Sequence, residues 1–336
     1  MSELVEVDPA DWDELLERLG CSDAYLLRGY AESSCVLEAA RPVLLHVSDG
    51  GGDVVFPLLV RALPTGGRCD VTTPYGYGGP VATGAQPPTG LFWQLYEDWC
   101  AANEIVTTFI RFHPLYANQR RVDPSVRVER LAGTVGWRLD LPDLLTAMHR
   151  GHRRACRKAE RAGVCVSARE SPADLSEFAA LYEVTMHRLD ARDFYLFPPR
   201  YWDVVSARLD GHVVVFEAEE GGEVLASALC LATPPWLHYH LGASAERGRA
   251  VGANNLLFYE AARWARDRGY DRFHLGGGVG GRDDSLLTFK RRFDPEGGLL
   301  EFAVGKVVHD AAAYRALTGR EAEDLDGFFP AYREAP

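Results

Sequence analysis

The chain has 336 residues, of which 47% are hydrophobic, 25% charged and 11% aromatic, a balance that excludes disorder and fibrous repeats. That length exceeds what one hydrophobic core usually holds, so two domains are expected. The net charge of -12, from 36 Lys and Arg against 48 Asp and Glu, excludes a general nucleic-acid binder, and any RNA contact must be local.

Residues 9–19 read as a short helix, with Asp11 as N-cap and Glu14 three residues on as in a capping box. Short apolar or alternating runs at 23–30, 34–39, 43–47 and 54–60, broken by Gly, Pro and Asp, predict strands in a meander. A Gly/Pro/Thr loop fills 74–90, a helix follows over 91–103, and strands return at 106–115 and 135–141. In the second half, 141–163 predicts one long helix ending at Gly163, which suits a left-handed C-cap. Next come a strand at 164–169, a helix at 172–189 and a third helix after Pro198-Pro199. Strands at 213–219, 223–232 and 236–243, a helix at 256–269 and a strand at 271–277 complete the series.

No run approaches the ~18 apolar residues that cross a bilayer. The opening MSELVEVDPADWDELLERLG is acidic and amphipathic, unlike a secretion signal, so a cytoplasmic protein without membrane contact is expected. Seven cysteines (21, 35, 69, 100, 156, 165 and 230) are scattered and never form CxxC, which fits reduced thiols better than disulfides or zinc. Lysines stand only at 158, 290 and 306, in an Arg-, Ala-, Gly- and Pro-rich composition typical of a GC-rich genome.

Arg150, Arg154, Arg157 and Arg161 fall at i, i+4, i+7 and i+11 and share a helix face, with Lys158 beside them. Like charges so spaced repel unless an anion meets them, which points to RNA phosphate; a solvated face is the alternative. PYGYGGP (74–80) is a rigid aromatic loop whose Tyr75 and Tyr77 can stack on a base or bond an acceptor, or it is only a glycine turn. No carboxylate follows this loop, where Val81-Ala82-Thr83 stand. His238 and His240 alternate with Tyr239 along one strand, so the histidines share a side; a neutral histidine could accept a proton from an amine.

The order helix-helix-strand-strand-strand-helix-strand in the second half is similar to an N-acetyltransferase-like (GNAT) domain, with a weaker version in the first half. RAVGAN (249–254) matches the coenzyme A pyrophosphate loop at Arg249 and Gly252, but Asn254 replaces a small residue there. GANNLLFYEAARWARDRGYDRFHLGGGVGG, then LLTFKRRFDPEG, resembles the second domain of the Fem-like branch of that superfamily. TPYGYGGP, RGHRRACRKAERAGVCV and YEVTMHRLDARDFYLFPPRYW agree with this, so the likeness spans nearly the whole chain.

The resemblance implies an α/β (α+β) fold of two tandem GNAT-like domains, each a mostly antiparallel mixed sheet flanked by helices. The first is expected over 1–141 with 304–336 packing back on it, the second over 142–303. It implies transfer of an amino acid from aminoacyl-tRNA to an amine, with the coenzyme A site lost. Phe289 and Lys290 resemble the family's site pair, the ring flanking the aminoacyl ester and the ammonium steadying the oxyanion, an effect on the order of 10² in rate or more. Arg188, Arg192 and Tyr195 lie where the family places acceptor-binding groups, and Arg forks suit diphosphate or carboxylate. With Tyr75, Tyr77 and Tyr239 they make the expected acceptor set. Arg291 and Arg292 join Arg150, Arg154, Arg157, Lys158 and Arg161 on the tRNA, and Lys290, Phe289 and His240 are the catalytic candidates.

An activated ester and a free amine need neither metal nor cofactor. The partners expected are aminoacyl-tRNA and a small-molecule amine acceptor, a peptide or nucleosidyl peptide, acting on a monomer. Composition and the lack of a long coiled-coil insertion favour the branch that extends uridyl peptide antibiotics with a small amino acid such as alanine. The rival readings are a peptidoglycan-precursor aminoacyltransferase, an acyl-coenzyme A N-acyltransferase and a non-catalytic RNA-binding protein.

Overall fold

The computed structural model of the chain describes residues 3–64 and 66–334. Two compact units emerge, Met1–Leu131 with Glu301–Pro336, and Ala132–Leu300. The first unit runs through β1 (Val5–Glu6), α1 (Trp12–Arg18), α2 (Arg28–Leu37), β2 (Arg41–Ser48), β3 (Gly52–Ala62), β4 (Cys69–Thr72), β5 (Val81–Gly84), α3 (Thr89–Ala102) and β6 (Ile105–Arg111). β7 (Arg127–Arg138) carries the chain into the second unit, with α4 (Leu144–Ala147), α5 (Arg150–Arg161), β8 (Cys165–Glu170), α6 (Ser176–Arg188) and α7 (Pro199–Arg208). There follow β9 (Val213–Glu220), β10 (Glu223–Thr233), β11 (Trp236–Ser244), α8 (Glu246–Val251), α9 (Ala253–Asp267), β12 (Arg272–Gly276) and α10 (Ser285–Arg291). β13 (Leu300–Val308) returns the chain to the first unit, which closes with α11 (Ala311–Thr318). The units divide at 131/132 and 300/301, whereas the tandem resemblance puts the boundaries after 141 and 303.

In the first unit the sheet order is β1-β2-β3-β4-β6-β13, with β5 also on β3. β4 and β6 run parallel and the other pairs are antiparallel. Period-2 alternation puts Val43, Leu45 and Val47 of β2 and Val54, Phe56 and Leu58 of β3 on one face, against Phe92, Trp93, Tyr96 and Cys100 of α3. Val106, with Ala313 and Tyr314 of α11 and with Leu325 and Phe329, forms a second, smaller core.

The strands expected over 23–30 and 34–39 are not there. Asp23 accepts a hydrogen bond from the Tyr25 N–H and opens a 3-10 turn at Ala24–Leu26, and α2 follows. Gly29, Tyr30, Ala31, Ser33 and Ser34 are its buried residues, and the two serines hid the helical period from an apolar count. The capping box at α1 also fails: Asp11 has helical φ/ψ (-96°, -3°) and its side chain makes no cap bond. The region 74–90 is not all loop, since Val81–Val55 and Gly84–Gly52 pairing builds β5.

In the second unit the sheet runs β7-β12-β11-β10-β9-β8, with β11 and β12 parallel. α5 and α9 cover one face, burying Cys156, Ala159, Leu256, Leu257, Ala261, Ala262 and Ala265 against Phe216, Ala226, Ala228 and Phe273. The single long helix expected over 141–163 is broken between α4 and α5. Asp143 caps α4, and Met148 and His149 are extended. Arg153 then donates to the main-chain oxygens of Thr146 (2.8 Å) and Met148 (2.6 Å), which holds the break. Gly163 has φ +83°, the left-handed end expected for α5.

Candidate active site and basic surface

β11 and β12 pair in parallel from Trp236↔Arg272 to His238↔His274, and no pair follows, so the strands part there. Past that point Cys230 of β10 pairs with Tyr239 and Leu229 with Leu241, which leaves His240 as the extra residue of a β-bulge. The Tyr239 ring packs on Phe258 of α9 at 4.8 Å. A Cβ at Gly242 would fall 2.0 Å from the Tyr239 hydroxyl oxygen, so glycine there leaves room for the ring. His240 is half-buried, with Nε2 2.9 Å from the Tyr201 hydroxyl of α7. Burial, then the neighbouring His238, pushes its pKa down to about 3. His238 and His274 are buried with their Nδ1 atoms 3.2 Å apart, so one ring carries its proton on Nδ1; His274 Nε2 is 3.0 Å from Thr134 Oγ1.

β12 runs into a glycine run that turns sharply: Gly276 has φ +72°, and a Cβ at Gly278 would meet the Arg282 oxygen at 2.1 Å. Asp284 closes the turn by accepting from the N–H groups of Val279 and Leu287, both at 2.9 Å, and so caps α10. Those bonds, against the upward pull of burial, hold its carboxyl below the usual range. α10 carries Phe289 and Lys290 inward. Lys290 is 5% exposed; its Nζ donates to the Gly277 oxygen at 2.7 Å and lies 5.2 Å from the Tyr239 ring centroid. Burial brings the Lys290 pKa down to about 7, with Asp284 pulling weakly the other way. A lysine so placed can exchange a proton near neutral pH. Phe289 packs against His152 at 4.8 Å and Phe293 at 5.3 Å.

Arg150, Arg154, Arg157, Lys158 and Arg161 are all exposed on α5, opposite buried His152, Cys156 and Ala159. Arg161 donates to the Arg157 oxygen at 3.0 Å and Lys158 to the Ala250 oxygen at 2.6 Å. Among the described residues, no carboxylate pairs with any of the five. The His149 N–H donates to the Arg292 oxygen at 2.8 Å, which sets exposed Arg291 and Arg292 beside the start of the stripe. The α8–α9 turn carries the RAVGAN segment. Gly252 has φ +89°, and a Cβ there would meet the Ala155 oxygen at 2.7 Å. With Lys158 bonded to Ala250, α5 packs against the turn that leads into α9.

The structure thus joins Lys290, Phe289 and Tyr239 in one cluster and ties His240 to Tyr201. Arg188 and Arg192 are exposed at and just after the end of α6, and half-buried Tyr195 packs on Phe194 at 5.5 Å. In the first unit, Tyr77 sits edge-on to Tyr25, His113 and Phe302 (5.3, 5.9 and 5.4 Å), which makes it a packing ring in this loop. Tyr75 is half-buried, and its main-chain oxygen accepts from the Tyr30 hydroxyl. Sequence reading missed His152, Tyr201, Gly242 and Asp284; an aspartate standing as N-cap just before the apolar run Leu286-Leu287 is the signal that could have shown the last.

Residues 147–291 match the family described as acetyltransferase (GNAT) domain, fewer than half of the residues of the chain. No curated protein matches the sequence. The crystal structure of FemX is similar with a TM-score of 0.70 at 16% identity, covering 94% of this chain and 99% of that one. L-PGS from Bacillus licheniformis is similar with a TM-score of 0.59 at 16% identity, covering 92% of this chain and 94% of that one. A tandem GNAT protein from the clavulanic acid biosynthesis pathway gives a TM-score of 0.53 at 11% identity, over 92% and 99% of the two chains. Among the described residues, no helix is long and apolar enough to cross a membrane. The chain has the fold of the tandem GNAT structures, and its residues 147–291 match the acetyltransferase (GNAT) domain.

Proposed function

We propose that the chain is an aminoacyltransferase that takes a small amino acid, such as alanine, from aminoacyl-tRNA and joins it to the amine of a peptide or nucleosidyl peptide in antibiotic assembly. The observation that supports this reading is the seat of α5 on the α8–α9 turn, Gly252 against Ala155 and Lys158 on Ala250, at the segment where the resemblance would put a coenzyme A pyrophosphate. The same helix turns an unneutralised arginine face outward, the local cationic surface that an RNA donor needs on a chain of charge -12.

In this reading the acceptor amine attacks the ester carbonyl, a C–N bond forms, and the ester C–O bond breaks to release the tRNA hydroxyl. Proximity supplies most of the acceleration. Lys290, with its pKa near 7, accepts the amine proton and passes it to the leaving oxygen. His240, held neutral down to about pH 3, is a weak base for an amine, so its part is to bond Tyr201 and shape the bulge. Tyr239 and Phe289 enclose Lys290, while Arg188, Arg192 and Tyr195 of the same unit are proposed to bind the acceptor.

A second reading, an acyl-coenzyme A N-acyltransferase, is favoured by the match of 147–291 to the acetyltransferase family. The deciding experiment supplies mixed radiolabelled aminoacyl-tRNAs, with and without RNase, beside acetyl-coenzyme A and a panel of amine acceptors. RNase-sensitive labelling of an acceptor supports the tRNA donor and names the amino acid. Labelling from acetyl-coenzyme A alone replaces the first reading with the second.

A further inference from the structure

One face of the first unit's sheet carries a row of charges that do not balance. Asp70 is fully buried and accepts from Arg61 Nε at 2.8 Å and Arg333 Nε at 2.9 Å. Glu38 pairs with the other end of Arg61. Both carboxylates are thereby committed, and a third guanidinium, Arg111 at the end of β6, has neither.

Arg111 is half-buried, its Cζ lying 4.9 Å from the Phe109 ring centroid. Its Nη1 donates to Thr72 Oγ1 at 3.2 Å and to the Thr73 main-chain oxygen at 3.3 Å. Its own N–H donates to Thr73 Oγ1 at 3.0 Å, which ties the end of β6 to the start of the PYGYGGP loop. Among the described residues, Nε and Nη2 meet no protein oxygen, and no carboxylate lies in ion-pair range. Burial lowers the Arg111 pKa, with Glu38 opposing and Arg61 adding to the effect, but a guanidinium stays charged at neutral pH. A half-buried guanidinium with no carboxylate in ion-pair range keeps part of its hydrogen-bonding capacity open to an anion from outside. Nε and an Nη2 hydrogen form the side-on fork that binds two oxygens of a carboxylate or phosphate.

We propose that Arg111, held by Thr72 and Thr73 at the base of the Tyr75 loop, is a binding site for an anionic group, a carboxylate or phosphate, of the acceptor. This deepens the acceptor reading above and rests on it. Phe109 supports the plane of the guanidinium, and Thr72 and Thr73, both buried, fix its Nη1 so that the open fork is already oriented.

The test is calorimetry on the full chain with pyrophosphate, with N-acetylalanine and with N-acetylalaninamide. One of the two anions is expected to bind, tenfold or more weaker to Arg111→Gln and a few-fold weaker to Arg111→Lys, while the uncharged amide does not bind. Pyrophosphate alone marks a phosphate-bearing acceptor, N-acetylalanine alone a peptide carboxylate. No binding of either anion, or equal binding to Arg111→Gln, overturns the site. Should Arg111→Gln not fold, phenylglyoxal labelling of the wild-type chain decides: protection of Arg111 by either anion supports the site, and undiminished labelling removes it. Anion binding at Arg111 without transfer from aminoacyl-tRNA would sink the donor reading and leave this site standing.

Discussion

His152 Nε2 lies 2.9 Å from the main-chain oxygen of Phe289, the residue before Lys290. One bond thus fastens the core-facing side of the basic helix α5 to the helix that carries the buried lysine. His152 is buried, and its ring also packs 4.4 Å from Phe293. His152→Leu keeps much of the packing but strips the Phe289 oxygen of its donor, a loss of about 1–3 kcal/mol. The expected result is a lower Tm and a fall in kcat larger than the change in KM, with partial recovery in His152→Gln. Unchanged kcat in a folded His152→Leu would show that this bond does not position Lys290.

Lys290 separates two kinds of help for the reaction. If it transfers a proton, the wild-type rate turns over near its pKa of about 7, and Lys290→Arg, charged at every working pH, loses both the inflection and on the order of 10²-fold or more in kcat. If only a cation is needed near the oxyanion, Lys290→Arg keeps much of the rate and Lys290→Met does not. We expect the first pattern, because Nζ is desolvated and, among the described residues, its hydrogen-bond partner is the neutral Gly277 carbonyl at 2.7 Å. A pH-rate profile of the two variants checks it.

Gly242 offers a test that leaves Lys290 itself in place. A methyl group at this position would sit 2.0 Å from the Tyr239 hydroxyl oxygen, so the ring must swing away from Phe258 and Lys290. Gly242→Ala is expected to cost about 1–3 kcal/mol from overpacking and to shift the activity inflection toward the ordinary lysine range as solvent reaches Nζ. Restoring space with Tyr239→Phe in the same chain should recover part of the stability. An unshifted inflection would mean that the Tyr239 ring does not keep Lys290 desolvated.

Much of this molecule could be read from its residues because strands and amphipathic helices announce themselves by period. β2, β3, β9, β10 and β11 were legible as alternating or apolar runs between Gly, Pro and Asp, and α5 as a stripe of arginines every three to four residues. α2 was not, since its buried face includes Ser33 and Ser34 and so lacks an apolar period. The break before α5 was hidden for another reason: Met148 favours helix as much as Leu145 does, and the extended path is held by bonds outside the helical ladder, from Arg153 to the Thr146 and Met148 oxygens and from the His149 N–H to the Arg292 oxygen. Lys290 stood out by scarcity. Arg111 did not, because the meaning of one arginine among many depends on which carboxylates its neighbours have already taken.

Acid should weaken the fold in a defined window. His152 and His240 have pKa values pushed down to about 4 and about 3 by burial, against about 6.5 in an unfolded chain. The unfolded state therefore binds more protons between those limits, so stability rises with pH across them and is lost as pH falls below about 6.5. Each ring adds up to about 1.4 kcal/mol per pH unit to that slope. Asp143 and Asp284, whose carboxyls backbone hydrogen bonds hold below the usual range, lose their contribution as pH falls toward the ordinary carboxylate range of about 4, below the span of these melts. Melts between pH 7 and 5 should show a falling Tm, and a His152→Gln, His240→Gln chain a flatter line. An equal slope in both chains would mean that the two rings are not the source.

The arginine face of α5 makes the most direct statement about the donor. Arg154 and Arg157 are exposed, have no carboxylate partner among the described residues and lie three positions apart on one face. Reversing both charges leaves His152, Cys156 and Ala159 to pack as before, so Arg154→Glu with Arg157→Glu should fold with Tm little changed. If tRNA phosphates lie on this face, its affinity should fall on the order of 10-fold to 100-fold, and the slope of log affinity against log salt should lose about one unit for each contact removed. Activity with saturating tRNA would be less affected, because Lys290 is untouched. A loss of affinity with an unchanged salt slope would mean that the arginines stabilise the protein or contact bases without meeting phosphate. No loss at all would detach RNA from this helix, and with it the main support for a tRNA donor over coenzyme A.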